Sequence, residues 1–187
     1  IATLTTLGAL DAPPASSAWN IREIGGAVRA QTSDRCTRCH TSEGLAAPIQ
    51  AGRIRQPAAW LAMHVADPDV IAPGVREAPQ TNQGESRSML AGLARLRTAP
   101  PPAIDPTTLK TYALLSRFCL NCHVIDGVGG TEGPDLSRAG QKLDRATIEQ
   151  RIIAPGVVDP MSEMPMFDGR ISRDDIRMIA EWLAQRK

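Results

Sequence analysis

All four cysteines of this 187-residue chain fall in two copies of one pattern, Cys36-Thr37-Arg38-Cys39-His40 and Cys119-Leu120-Asn121-Cys122-His123. No other feature constrains the fold as much, because a chemistry assigned to the first copy must also serve the second. A C-x-x-C pair serves as a redox disulfide, as half of a zinc site, or as a covalent anchor for a prosthetic group. Zinc needs four ligands close together, and two such pairs supply four thiolates, but that leaves both adjacent histidines without a role. Neither copy is preceded by the strand that a thioredoxin-type disulfide calls for.

C-x-x-C-H with its terminal histidine is the c-type haem attachment signature. Two thiols add across the haem vinyl groups, and the next residue supplies an axial imidazole. One short turn must reach both vinyls while aiming that imidazole at the iron. The chain is therefore expected to carry two covalently attached haem c groups. Cys36 and Cys39 hold the first with His40 as ligand, and Cys119 and Cys122 hold the second with His123. Aromatics make up only 3% of the residues, thin material for two small cores, and a buried haem in each half supplies a large apolar body. Haem attachment to reduced thiols takes place outside the bacterial cytoplasm. This implies the periplasm or the outer face of the cytoplasmic membrane, with the cysteines as thioethers although that compartment favours disulfides.

Each copy has the same surroundings. A helical segment precedes the cysteines, residues 18–30 in the first half and 106–118 in the second, the latter with Asp105 as N-cap and Pro106 at the first helical position. Each copy also ends in a helix, near 85–97 and 173–185. The last helix has a capping-box pattern in Ser172 and Asp175, a staple in Ile171 and Ile176, and an apolar stripe of Ile176, Ile179, Ala180 and Leu183. Thr98-Ala99-Pro100-Pro101-Pro102 reads as a stiff linker. No strand pattern competes. The expected organisation is an arm or membrane-anchor stub over 1–17, a first domain over 18–98 and a second over 99–187. Ile1 to Leu10 is apolar but too short to span a bilayer.

A helix, C-x-x-C-H, a loop, a short helix ending at proline, a methionine and a final helix together resemble the class I cytochrome c fold. The resemblance covers most of both halves and implies an all-α chain of two tandem class I cytochrome c-like domains. It is strongest at Gly133-Pro134-Asp135-Leu136, similar to the family's Gly-Pro-x-Leu segment. In the family, that proline's carbonyl accepts a hydrogen bond from the proximal histidine, which implies the same role for Pro134. Ala47-Pro48 is the first half's looser counterpart. The glycines between Gly127 and Gly133 otherwise read as loop.

The family also places its distal methionine about nine residues after a helix-ending proline, which points from Pro155 to Met164 as the sixth ligand of haem 2. Met161 and Met166 stand close enough to compete. The first half departs from the pattern. Nine residues after Pro68 stands Glu77, followed by Ala78-Pro79 where the family has Met-Pro. His64 is the natural substitute. Gln56-Pro57 opens a helix that must end near Pro68, and on it Trp60, Leu61, His64 and Val65 share one face. Met63, Met89, a carboxylate from Glu77 and an open site are the alternatives.

Two six-coordinate irons leave no position for a substrate, so the expected function is electron transfer as a subunit or partner of a respiratory chain complex. Histidine–histidine ligation at haem 1 and histidine–methionine at haem 2 would split the potentials, with electrons entering at haem 1 and leaving from haem 2. Partners are other cytochromes or a membrane quinol-oxidising or terminal complex. A net charge of +1 with no basic run speaks against nucleic acid. The alternative is a di-haem peroxidase-like oxidoreductase or a haem-based sensor, with haem 1 open or labile.

Overall fold

The computed structural model describes residues 18–68 and 83–187. The expected N-terminal arm and the segment with Glu77 and Ala78-Pro79 lie outside the described residues. The chain divides into two compact units, Ile1–Arg117 and Phe118–Lys187.

Unit 1 contains α1 (Ile21–Thr32), α2 (Asp34–Thr37), α3 (Ala58–Ala66), α4 (Gln83–Leu96) and α5 (Pro106–Leu114). Asn20 opens α1 with a full capping box. Its side chain accepts from the Glu23 amide, and the Glu23 carboxylate accepts from the Asn20 amide, both at 2.9 Å. The helix runs along α4, and the two backbones come so close that a Cβ at Gly26 would fall on the Ser88 carbonyl. Ala27, Ala30, Val65, Met89, Leu93 and Leu96 form the buried cluster, with Cys36 of the first motif packed against it. Within this unit Glu85 is buried between two guanidiniums, 2.7 Å from Arg29 and 2.8 Å from Arg117.

The expected second domain starts at Ala99, inside the proline-rich linker Thr98–Pro102. By packing, residues 99–105 and α5 belong with unit 1, because α5 rests on α1, where Gly25 leaves room for the Tyr112 carbonyl. Asp105 caps α5 as its sequence suggests, accepting from the Thr108 amide with Pro106 in the first turn. A π-helical turn, Leu115–Cys119, then carries the chain into unit 2 and delivers Cys119.

Unit 2 contains a hairpin of β1 (Val124–Ile125) and β2 (Val128–Gly129), then α6 (Arg145–Ile153), α7 (Pro155–Val158) and α8 (Arg173–Ala184). The hairpin corrects the reading of this glycine-rich stretch as plain loop. Asp126 and Gly127 form its two-residue turn, both with positive φ, at 52° and 76°. Asp144 caps α6 by accepting from the Thr147 amide at 2.7 Å. Pro155 ends that helix as expected, since α6 stops at Ile153 with Ala154 as its C-cap, and Pro155 then also opens α7. The Ser172 side chain accepts from the Asp175 amide at the start of α8. Ile148, Ile152 and Ile153 on α6 and Ile176, Ile179 and Leu183 on α8 are buried where the two helices pack together.

Candidate functional site

The two cysteine motifs fold into the same turn. In the first, the Cys36 carbonyl accepts from the amides of Cys39 (3.2 Å) and His40 (2.9 Å). In the second, the Cys119 carbonyl accepts from those of Cys122 (3.1 Å) and His123 (2.9 Å). The chain then returns over the second cysteine in both. The Ala46 amide donates to the Cys39 carbonyl at 3.0 Å, and the Gly133 amide to the Cys122 carbonyl at 2.8 Å. The residue after each return point receives the histidine. His40 Nδ1 lies 2.9 Å from the Ala47 carbonyl and His123 Nδ1 lies 2.8 Å from the Pro134 carbonyl. The longer return path of the second copy accommodates the β1–β2 hairpin.

These bonds fix chemistry as well as geometry. A carbonyl oxygen can only accept, so Nδ1 carries the proton in both histidines. Nε2 is left with the lone pair that a metal ligand needs. Gly133 is required where it stands, since a Cβ there would lie 2.5 Å from His123 Cε1 and 2.7 Å from Nδ1. None of the four cysteines is joined to another in a disulfide. Burial raises the Cys36 pKa, and burial beside Cys122 pushes Cys119 up to about 12. A hydrogen bond with Glu132, together with partial burial, raises Cys122. Among the described residues no three His, Cys, Asp or Glu side chains gather as a metal site.

His64 lies beside the first turn. Its ring centroid is 5.9 Å from that of His40, with the planes at 79°. A metal–imidazole bond is about 2 Å long, so two imidazoles on opposite sides of one metal ion would stand with their centroids about 6 Å apart. Trp60, one helical turn earlier on α3, stacks on His64 at 4.8 Å and 21°. The predicted common face of α3 is thus divided: Leu61 and Val65 are buried, while Trp60 and His64 flank them half-buried. Arg35, next to Cys36, donates to the carbonyls of Val65 (2.7 Å) and Ala66 (3.2 Å), fastening the end of α3 to the cysteine motif. Burial, then the nearby His40 and Arg35, lower the His64 pKa and favour the neutral imidazole. His64 Nδ1 is buried without a hydrogen-bond partner among the described residues. Of the competing methionines, Met63 is half exposed and Met89 is locked in the α1–α4 core.

In unit 2, Met164 is the half-buried member of its trio, while Met161 and Met166 are 86% and 59% exposed. Its amide donates to the Ser162 hydroxyl at 3.3 Å, and three residues later the Phe167 amide donates to the Ile152 carbonyl at 3.1 Å, tying the loop to α6. Phe167 also meets Phe118, just before Cys119, edge to face at 6.0 Å.

Sequence reasoning missed three contributors. The acceptor in the first half is Ala47, the residue before Pro48, and no side-chain type announces a backbone acceptor. Arg35 looked like one of many scattered charges. The Trp60–His64 stack was available from the i, i+4 spacing.

Residues 107–183 match the family model for cytochrome c oxidase, cbb3-type, subunit III. That similarity supports a c-type cytochrome domain in this segment, with covalently bound haem c and electron transfer as its general chemistry. The match begins within α5, so the family's segment includes most of a helix that packs with unit 1. No curated protein and no solved structure matches the chain. Cytochrome c domains are typically extracytoplasmic, and among the described residues no helix is long and apolar enough to cross a membrane.

Proposed function

We propose that the chain is a di-haem electron carrier that works in the periplasm, or at the outer face of the cytoplasmic membrane, as a subunit or partner of a respiratory complex. The observation that carries this reading is the duplicated turn. Each copy has two thiols, the same two amide bonds to the first cysteine's carbonyl, and a histidine whose Nδ1 is held by a carbonyl 2.8 or 2.9 Å away. When bound, each haem iron supplies one-electron oxidation and reduction. Cys36, Cys39 and His40 would hold the first group, and Cys119, Cys122 and His123 the second. Ala47 and Pro134 orient the two proximal imidazoles. His64 is the proposed sixth ligand in the first domain, 18–98, and Met164 in the second, 99–187. The similarity to subunit III of cbb3-type cytochrome c oxidase supports a respiratory partner for the second domain.

Ligation decides between carrier and enzyme. His64 and Met164 close the sixth positions, which leaves outer-sphere electron transfer. Thioether ligation by Met164 raises the potential of its centre relative to a bis-histidine centre. The test is a spectroelectrochemical titration of the holoprotein with and without carbon monoxide. Two reversible one-electron waves, unmoved by carbon monoxide, are expected. A stoichiometric carbon monoxide adduct of the reduced wild type would instead favour the peroxidase-like or sensor reading.

A further inference from the structure

We infer that Trp60 is a positioning residue for the first haem site, holding the distal imidazole nearly perpendicular to the proximal one and so setting the electronic character of that centre. This rests on the reading of His64 as a ligand. Two restraints of different kinds fix the two rings. His40 is held by a hydrogen bond, Nδ1 to the Ala47 carbonyl at 2.9 Å. His64 has no such bond among the described residues, since its Nδ1 is buried and unpartnered. The torsion that turns an imidazole about its Cβ–Cγ bond is broad and weakly restrained on its own. Among the described residues packing is what holds the plane, and the Trp60 ring supplies a packing surface, stacked at 4.8 Å and 21°. Trp60 sits one turn away on the same helix, and Arg35 anchors the end of that helix to the cysteine motif. The stack therefore moves as one body with α3. The resulting angle between the two imidazole planes is 79°.

That angle has a chemical consequence. An axial imidazole binds iron through its in-plane lone pair and also donates π density through the orbitals normal to its ring. Two parallel rings load the same iron d orbital and split it from its partner. Two perpendicular rings load different orbitals and leave them close in energy. A perpendicular pair stabilises the ferric state less than a parallel pair, so its potential is higher, and its ferric spectrum is a highly anisotropic low-spin signal rather than a rhombic one. Trp60 would therefore counter part of the lowering that bis-histidine ligation brings.

The test is low-temperature electron paramagnetic resonance of the ferric holoprotein, paired with near-infrared magnetic circular dichroism to identify the ligands. The wild type should show a bis-imidazole charge-transfer band and a highly anisotropic signal for the first haem. Trp60→Leu should convert that signal to a rhombic or mixed one and lower the potential of the first haem, while Trp60→Phe and Trp60→Tyr, which keep a flat ring, preserve both. A rhombic bis-imidazole signal in the wild type overturns the inference while leaving the ligation intact, and needs no variant to fold. An unchanged signal in Trp60→Leu overturns it as well. The absence of any bis-imidazole band refutes the underlying ligand assignment instead.

Discussion

Glu85 offers a quantitative test of how unit 1 is held together. Its side chain is 8% exposed and meets Arg29, 13% exposed, at 2.7 Å and Arg117, 46% exposed, at 2.8 Å. Glu85→Ala removes the carboxylate from between two cations that do not lose equally. Arg117 keeps water on its open side, so its share of the loss is under about 1 kcal/mol. Arg29 is left as a buried cation on α1, and breaking such a pair typically costs about 3–5 kcal/mol. Burial already lowers the Arg29 pKa, and Glu85 is the largest of the charges that oppose this. The exposure that Arg29 retains places the expected total near the lower end, about 3 kcal/mol. With a urea m-value of about 2 kcal/mol/M, the midpoint should fall by about 1.5 M. The assay is urea unfolding of the holoprotein followed by far-ultraviolet circular dichroism and by the Soret band. Arg117→Ala should shift the midpoint by less than a third as much. A double replacement of Arg29 and Glu85 by methionine should recover most of the loss, because no charge is then left buried. A Glu85→Ala loss below about 1 kcal/mol would refute the reasoning and mean that water reaches the pair.

Two further predictions concern the sixth ligands. His64→Ala should let the reduced protein bind carbon monoxide at one haem per chain and move only the lower-potential wave, whereas a packing role alone would lower stability and leave the iron's coordination unchanged. Met164→Ala should abolish the weak far-red sulfur-to-iron band of the oxidised protein. Met161→Ala and Met166→Ala, which change exposed side chains, should leave that band intact, and its loss in either would move the assignment.

Local signals carried much of the fold. Asp105 with Pro106, and Ser172 ahead of Asp175, mark the starts of α5 and α8 because a cap is a contact between residues three apart. Asn20 and Glu23 have the same spacing and set the start of α1 at Ile21, three residues later than the expected Ala18. The Asp126-Gly127 turn was also legible in principle, as a residue pair suited to positive φ, but it was absorbed into a run of glycines. What the sequence did not disclose is long-range. Nothing local indicates that Gly25 admits α5 against α1, or that Arg35 reaches the carbonyls at the end of α3. At the candidate sites, the C-x-x-C-H spacing dictates the turn and its histidine. The acceptor for that histidine follows from the return path of the loop, which is why Pro134 was foreseen through a resemblance and Ala47 was missed by one residue.

The central claim is that both turns carry a haem, and the most direct measurement is the number of covalent haems per chain. Intact-mass spectrometry of protein matured with the haem-attachment machinery, with a pyridine haemochrome assay on the same sample, should give two haems, no zinc and no thiol open to alkylation. One haem per chain, with Cys36 and Cys39 alkylated as free thiols, would contradict the account and leave only the second half as a cytochrome.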